Sequence, residues 1–492
     1  MMQNSSIKAE IIKSSVISFI TKYAGAALQI IISMALARVL TPDEYGIVSI
    51  VTVLSSFLAL VGQVGMSPAI IQNDLEDREV ISLYNISILF GGILALLFGF
   101  SGKYIALIYE NEAYISLVML LAIALFFDTS VMVPGAILRK QKKFFIIGAI
   151  EISASLISSL ITLILALMGY SYYALVFGTC ISSIINFAAK WKFSKLSYKF
   201  IYDIQPLKKI FRFTIFQLLT NLLTYFSGNI DNLAIGKMFG TRSLGIYDKA
   251  FILMRYPLNY LGTAITQVLH PIMSERKNDK GIIYHTFIKM SLFMAYFGIF
   301  SSVFLWFNAE SIILIMFGEQ WLEAVPILRA FCFSIWASMT NSLFGSFFQT
   351  LGRTDINFCA YLILTVNTII GVMIGTLLKK SLVVVALIIG FGYWIVYFLF
   401  SFVLIKILLK NKISILYKQL LKPFLLACIL VISNVLCEQF IGKEKFLFLV
   451  ISLLVVVVES VLFISYLEKI PISEIIKKLV GKLMPKINRN KK

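Results

Sequence analysis

Long apolar segments recur throughout this chain of 492 residues. A helix needs about 20 consecutive, mostly apolar residues to cross the hydrocarbon core of a bilayer. The segments are continuous rather than alternating, which argues against a membrane β-barrel. Fourteen such spans are predicted near residues 14–37, 46–65, 82–101, 114–138, 146–168, 171–189, 211–236, 250–272, 286–306, 324–348, 358–378, 382–405, 423–438 and 446–466. We therefore expect an all-α integral membrane protein with about 14 transmembrane helices.

The composition excludes a soluble protein. Charged residues make up 14% of the chain and hydrophobic residues 59%, with a mean hydropathy of +0.90. A soluble domain carries about 25% charged residues. The chain has two histidines and five scattered cysteines without a C-x-x-C pair, so we expect neither a metal site nor a disulfide framework.

The basic residues are distributed unevenly between the two sets of loops. The two termini and the even-numbered loops contain 31 of the 44 Lys and Arg residues, and the odd-numbered loops contain 9. By the positive-inside rule, both termini are then cytoplasmic. The net charge of +19 is spread over inner loops without a compact basic domain, so we expect no nucleic-acid partner. The first span is too long for a signal peptide and is interpreted as an uncleaved helix.

A sequence repeat relates the first half of the chain to the second. Residues 37–47 (ARVLTPDEYGI) align with residues 236–246 (GKMFGTRSLGI) without a gap, at an offset of 199. The alignment pairs Gly46 with Gly245. Duplicated membrane halves are common in transporters.

Two further matches follow in the same order. Residues 103–121 align with 310–328 at an offset of 207, and a third match follows at an offset of 214. Together they predict two pseudo-symmetric six-helix lobes in parallel orientation, plus two extra C-terminal helices. Each lobe also has a short amphipathic piece after its third span, at 102–110 and 308–318, which we expect to lie in the outer membrane interface.

These spans divide the chain into predicted segments. The boundaries are a cytoplasmic N-terminus at 1–13, an N-lobe at 14–189, a basic cytoplasmic linker at 190–210, a C-lobe at 211–405, the last two helices with their preceding basic loop at 406–466, and a basic cytoplasmic tail at 467–492.

Four motifs resemble one family of transporters. They are LARVLTPDEYG after the first span, LRKQKKF after the fourth, NIDNLAIGKMFGTRSLGIYDKA at the seventh and FGEQWLEAVPIL before the tenth. They are similar to the Wzx-like polysaccharide flippases, in the multidrug/oligosaccharidyl-lipid/polysaccharide exporter superfamily, and the likeness extends over about residues 10–465.

The resemblance implies a fold and a function. It implies a V-shaped, MATE/MurJ-like pair of helix bundles in a bacterial plasma membrane. These bundles would alternate access to pass an undecaprenyl-diphosphate-linked oligosaccharide (an O-antigen, capsule or exopolysaccharide unit) from the inner to the outer leaflet. Partners would include membrane lipids, a glycan polymerase and other glycan-assembly proteins. The resemblance carries over no binding residue.

Such cargo needs a hydrated groove with hydrogen-bonding groups and positive charge. Lys22 lies about 12 Å into the first predicted helix, where facing lipid would cost a few kcal/mol. Either a substrate headgroup or an internal ion pair with Asp128 would satisfy it. The predicted substrate-binding residues are Lys22, Arg255, Asn221, Gln217, Asn259 and Gln29. For the amides among them, interhelical hydrogen bonding is an equally good interpretation.

Acidic residues inside spans are candidates for ion coupling. Asp128 and Asp231 would bind Na⁺ or a proton if transport is coupled, and Asp231 would otherwise form a local hydrogen-bond cluster with its neighbouring asparagines. No other cofactor is expected. Coupling is not required, because an anionic headgroup leaving an inside-negative cell gains roughly 2.3 kcal/mol per charge per 100 mV.

Three alternative functions remain open on sequence grounds. A peptidoglycan lipid precursor flippase or a multidrug exporter would use the same scaffold, although an exporter of cations favours acidic and aromatic cavity residues. A membrane glycan polymerase or glycosyltransferase is disfavoured, because no odd-numbered loop exceeds about 20 residues and no Gly-rich phosphate loop is present. We expect no catalytic residues.

Overall fold

The computed structural model describes residues 27–63, 75–196, 205–378, 381–441 and 445–468, together with residues 25, 67, 70, 71, 199 and 201–203. For a few of these, above all residues 206–220, only the backbone is described. The described residues form helices joined by turns, and no strand occurs among them. The predicted all-α fold class is confirmed.

The helices follow one another with short connections. In the first part of the chain they are α1 (Ala27–Val39), α2 (Pro42–Gln63), α3 (Asp77–Tyr109), α4 (Ala113–Ser130), α5 (Met132–Lys140), α6 (Phe144–Leu167), α7 (Tyr172–Ser194), α8 (Gln205–Phe239) and α9 (Thr241–Pro257). In the second part they are α10 (Thr263–Ser274), α11 (Lys280–Met316), α12 (Ala324–Cys332), α13 (Ile335–Thr350), α14 (Thr354–Leu377), α15 (Leu382–Phe402), α16 (Ser414–Ile441) and α17 (Lys445–Glu468).

Ten helical segments in the described residues are long and apolar enough to cross a membrane. This count treats α4 with α5 as one span, and α15 with the π-turn that follows it as another. The other four predicted spans overlap α1, α8, α9 with α10, and α12 with α13, which do not meet the same criterion. The chain is therefore a multi-pass membrane protein, and the count of fourteen is not confirmed.

Two of the helices are longer than expected. Helix α3 begins at a capping box in which Glu76 and Glu79 satisfy each other's backbone N–H groups, and it ends at Glu110 in a left-handed conformation. Its 33 residues span about 50 Å, more than the bilayer core of about 30 Å. It continues through residues 102–109, and α11 likewise continues through residues 308–316. These two pieces are therefore continuous with the preceding spans, and their position in the outer membrane interface stays a prediction.

One predicted span is divided by a proline. Helix α4 ends at Ser130 and α5 begins at Met132, two residues before Pro134. The proline ring has no N–H group and would clash with the Ser130 carbonyl in a continuous helix. The side chains of Thr129 and Ser130 donate to carbonyls of the preceding turn, so their hydroxyls are satisfied inside the bundle.

The described residues pack as two compact units. The first comprises residues within Met1–Lys249, Met316–Glu323 and Tyr361–Val385, and the second comprises residues within Ala250–Ile315, Ala324–Ala360 and Ala386–Lys492. The boundaries of these two units differ from those of the two lobes predicted from the sequence repeat. The predicted segment boundaries stay a prediction.

The second unit is organised around Trp336 at the start of α13. Its indole ring makes edge-on contacts with Trp394, Tyr397 and Phe424, at centroid distances of 4.9, 5.2 and 5.2 Å. Gly298 of α11 admits this close packing, since a Cβ atom there would lie 2.4 Å from the Trp336 Cα. Edge-on aromatic pairs contribute about 0.5–1.5 kcal/mol each beyond burial.

The two extra C-terminal helices attach to this unit through buried polar groups. The Asn308 side chain on α11 donates to the Ser452 hydroxyl on α17 (2.8 Å), and Ser452 in turn donates to Asn434 on α16 (2.5 Å). All three side chains are buried. Hydrogen bonds between membrane helices contribute about 0.6–2 kcal/mol each.

Candidate functional site

The predicted substrate-binding residues of the first unit are only partly described. Lys22 lies outside the described residues, and the side chain of Gln217 on α8 also falls outside them. Gln29 is exposed on α1, and Asn221 is half-buried on α8. An exposed glutamine on a membrane helix is accessible to a polar headgroup, so Gln29 stays a candidate.

The two predicted residues of the second unit lie close together along the chain. Arg255 is half-buried, and its guanidinium lies 5.4 Å from the centroid of the Phe251 ring. Asn259 is exposed in a π-turn at Leu258–Gly262, where its backbone carbonyl accepts a hydrogen bond from Thr263. Single π-turns inside helices are frequent at functional sites. Their substrate-binding role stays a prediction.

Asp128 belongs to a charged cluster at one end of the first unit. Its carboxylate accepts a hydrogen bond from Ser183 and interacts with Lys190. The Lys190 side chain is buried, and its Nζ lies 3.0 Å from Glu151 Oε1. Three helices, α4, α6 and α7, therefore share one ammonium group between two carboxylates. The described cationic neighbour of Asp128 is Lys190, which sequence reasoning had assigned to the basic linker.

Asp231 is a structural link between α8 and α9. It is buried, and its Oδ2 accepts a hydrogen bond of 2.8 Å from the Tyr247 hydroxyl. The neighbouring Asn232 bonds to Asp248 in the same helix as Tyr247. These contacts join α8 to α9, while the expected cluster of Asp231 with its neighbouring asparagines and ion coupling at Asp231 both stay predictions. Among the described residues, no group of three or more His, Cys, Asp or Glu side chains could hold a metal ion.

The two repeated motifs pack directly against each other. A Cβ atom on Gly46 would lie 1.8 Å from the backbone oxygen of Thr241, and one on Gly245 would lie 1.9 Å from the backbone oxygen of Pro42. At the offset of 199, Thr241 is the counterpart of Pro42. Each glycine therefore contacts the counterpart of the residue that starts its own helix, which is the reciprocal pattern of a two-fold interface. We call this contact the glycine crossing.

The second pair of aligned segments, 103–121 and 310–328, also contacts the opposite half of the chain. The Gln320 side chain donates to the carbonyls of Ala37 (2.6 Å) and Leu40 (3.1 Å), and Trp321 Nε1 donates to Ala37 (2.8 Å). These bonds satisfy carbonyl groups that the end of α1 leaves without helical partners. The loop after α11 in the second half thus caps the first helix of the first half.

The counterpart contact occurs at the end of α8. The Tyr109 hydroxyl donates to the Leu233 carbonyl at 3.2 Å, and the Lys237 ammonium lies 2.8 Å from Glu110 Oε1. At the offset of 207, Tyr114 is the counterpart of Trp321, and both side chains are completely buried. Each half therefore places the loop after its third span on the end of the other half's first helix.

A buried lysine lies beside these contacts. Lys249 is 3% exposed, and its Nζ lies 3.6 Å from the centroid of the Tyr45 ring. The rings of Phe317 and Trp321 are 5.3 and 5.4 Å away. Sequence reasoning had counted Lys249 only as an outer-loop charge. In the sequence, Lys249 lies between the aligned segments 236–246 and 310–328, which both contain aromatic residues. That position was the available indication of aromatic neighbours.

Solved structures of other transporters have the same fold. The lipid II flippase MurJ in an inward closed conformation matches with a TM-score of 0.74 and 18% identity, covering 93% of this chain and 99% of that one. An inward-facing MATE family multidrug resistance transporter matches with a TM-score of 0.60 and 13% identity, over 75% of this chain and 91% of that one.

Sequence comparisons identify the family. The teichuronic acid biosynthesis protein TuaB of Bacillus subtilis (strain 168) is 26% identical over 428 residues, covering 86% of this chain and 87% of that protein. The succinoglycan biosynthesis transport protein ExoT of Rhizobium meliloti (strain 1021) is 23% identical and covers 73% of each chain. The family model described as "Polysaccharide biosynthesis protein" matches residues 35–326. Because that match covers more than half of its length, the chain belongs to the polysaccharide biosynthesis protein family.

Proposed function

We propose that this protein is a flippase that moves an undecaprenyl-diphosphate-linked oligosaccharide from the inner to the outer leaflet of a bacterial plasma membrane. Support comes from its family, from relatives named for polysaccharide biosynthesis and transport, and from a fold shared with a lipid flippase. Both termini lie in the cytoplasm, and the protein catalyses no covalent step. A glycan polymerase consumes the delivered lipid-linked unit at the outer leaflet.

The observation that carries this proposal is the glycine crossing. A carrier that alternates access needs an interface that closes one end of its pathway and can release it again. At the glycine crossing, backbone meets backbone through Gly46 and Gly245, so separation requires no withdrawal of large interlocked side chains. In the predicted topology this interface lies at the outer ends of α2 and α9, and it therefore closes the outer side.

The loops that follow the third span of each half also support closure of the outer side. Gln320 and Trp321 hold the end of α1, while Tyr109 and Glu110 hold the end of α8. Most of these bonds are made to backbone carbonyls, which water can satisfy once the loops withdraw. The closed arrangement is thus stabilised by many individually modest bonds of about 1 kcal/mol each.

Deletion of the gene followed by leaflet-resolved lipid analysis tests the proposal. We expect complete lipid-linked oligosaccharide to accumulate on the cytoplasmic side, and plasmid-borne wild-type protein to reverse the accumulation. Truncated lipid-linked sugars would indicate a glycosyltransferase, and single units at the outer leaflet would indicate a polymerase. Either result, or loss of the surface glycan without accumulation, contradicts the proposal.

A further inference from the structure

The linker after α7 is fastened to α3 by two buried polar side chains. Asn85 Nδ2 donates to the carbonyls of Lys199 (2.7 Å) and Ile201 (2.9 Å). The Ser82 hydroxyl donates to the Asp203 carbonyl (2.8 Å) and accepts from the Asp203 N–H (2.6 Å). Both side chains are at most 1% exposed. We call the described linker residues 195, 196, 199 and 201–203 the strap.

The strap forms one wall of a cavity of about 470 Å³. The other walls are the first turns of α3, the end of α5 and residues Ile70 and Leu75. Half of the lining is aliphatic, and five of these six residues belong to or pack on the core cluster around Leu83 and Val133. The polar half consists of Lys140, Lys195, Lys199, Asp77, Gln141 and Ser194.

The cavity has the chemistry of an amphiphile site. Among the described lining residues, three lysines outnumber one carboxylate, at a site with an aliphatic floor. Lys195 adopts a left-handed backbone conformation at the end of α7, with φ of 56°. Basic cavities between membrane helices on the cytoplasmic side bind the headgroups of anionic lipids. The loops that line this cavity are even-numbered and therefore cytoplasmic in the predicted topology.

We propose that this cavity binds an anionic phospholipid of the inner leaflet whose headgroup carries free hydroxyls, such as phosphatidylglycerol. The lysines bind the phosphodiester, Asp77 and Gln141 accept from the headgroup hydroxyls, and the aliphatic floor contacts the start of the acyl chains. A lipid with a bare phosphate monoester lacks the hydroxyls and is repelled by Asp77. The inference rests on the predicted topology rather than on the identity of the cargo.

Competition in native mass spectrometry of the purified full-length protein tests the site. Phosphatidylglycerol should be retained over phosphatidylcholine by the wild type. Lys195→Ala with Lys199→Ala should reduce that preference about 25-fold, since each lysine near an anionic lipid contributes about a factor of five. The control, Lys192→Ala with Lys277→Ala, removes two exposed lysines from other positions on the same face and should change the preference less than twofold. Equal losses in both double variants would overturn the proposal.

Two further arms identify the ligand. Asp77→Asn should weaken phosphatidylglycerol and strengthen phosphatidic acid, and a parallel change for both lipids would refute the hydroxyl contact. Millimolar inorganic phosphate should leave bound phosphatidylglycerol in place, whereas displacement by phosphate would mean that the cavity is a free-anion site. All arms are binding measurements, so failure of the flippase proposal in cells would leave their outcome unchanged.

Discussion

Gly46 and Gly245 hold equivalent positions in the two halves of the chain, and each lies against the backbone at the start of the other's helix. A methyl group at either position would meet a carbonyl carbon or oxygen at well under 3 Å. Two helices can cross this closely only where neither carries a Cβ atom. The contact therefore arises from the sequence repeat, and both glycines are equally necessary for the close approach of the two helices.

Alanine at either glycine should separate the crossing helices. We expect Gly46→Ala and Gly245→Ala each to destabilise the closed arrangement by about 1–3 kcal/mol, the usual cost of overpacking. Thermal unfolding of the detergent-solubilised protein measures this as a lower melting temperature. Gly92→Ala on α3 is the control, because a Cβ atom there meets nothing within 4 Å. Equal melting temperatures for the Gly46 and Gly92 variants would contradict the interpretation.

Replacement of the buried Lys249 should lower the stability of the protein, because the carboxylate of Asp248 loses a neighbouring cation. Lys249→Met keeps the side-chain length but leaves Asp248 without its cation and the Tyr45 ring without its cation–π partner. We expect a loss of about 2 kcal/mol in stability. Asp248→Asn in the same background should recover part of this loss, as measured in a double-mutant cycle. Additive losses would mean that the two groups do not interact.

The caps on α1 should behave non-additively. Trp321→Phe and Gln320→Met each remove one donor to the Ala37 carbonyl, and the remaining donor still satisfies it. Each single variant should cost about 1 kcal/mol, and the double variant should cost more than the sum. Trp191→Phe, at an exposed position on α7, should leave the melting temperature unchanged. A double variant that equals the sum would show that the two bonds are independent.

The pair between Glu110 and Lys237 should titrate at low pH. The Lys237 ammonium, which hydrogen-bonds to Glu110, lowers the pKa of that carboxyl below its usual value of about 4.3. Any stability from this pair is present above that value and is lost as the pH falls through the lowered pKa. Lys237→Met should raise the Glu110 pKa towards its usual value. A ¹³C NMR titration of the glutamate carboxyl, assigned with Glu110→Gln, measures the shift, and an unchanged pKa would refute the pairing.

Lys22 stays the strongest sequence-based candidate for headgroup binding. At matched expression, Lys22→Ala should reduce glycan export severalfold, and Lys22→Arg should retain most of it, because a positive charge in the first span is the required feature. Export is measured as surface glycan in a deletion strain that carries each variant. Full export by the alanine variant would remove Lys22 from the site.

The sequence predicted those features that repeat or that follow from hydropathy. The apolar spans identified the fold class, and the alignment of residues 37–47 with 236–246 identified the glycines that meet in the structure. A glycine that recurs before an apolar segment in both halves can be recognised from the sequence alone. Both copies keep it because the two helices approach each other closely at these positions. The partner of each glycine was not visible, since the same alignment allows the two motifs to be near or far apart.

Contacts of single side chains were missed where residue type pointed the other way. Lys190 and Lys249 looked like solvated loop charges, and both are buried. Ser82 and Asn85 lie at the start of a predicted span and carried no prediction, yet they anchor the strap. A hydropathy pattern indicates how deep a residue lies along its helix. It does not indicate which side chains of the neighbouring helices the residue contacts.

The cap that Trp321 places on Ala37 also bears on how the protein is made. The two residues are separated by 284 positions, and a ribosome adds about 5–20 residues per second, so the first helix waits roughly 15–60 s for its cap. A nascent chain that stops just before residue 320 has made nine of the predicted spans, and the Ala37 carbonyl still lacks both of its side-chain donors. The end of α1 is therefore completed only once the second half of the chain has been made.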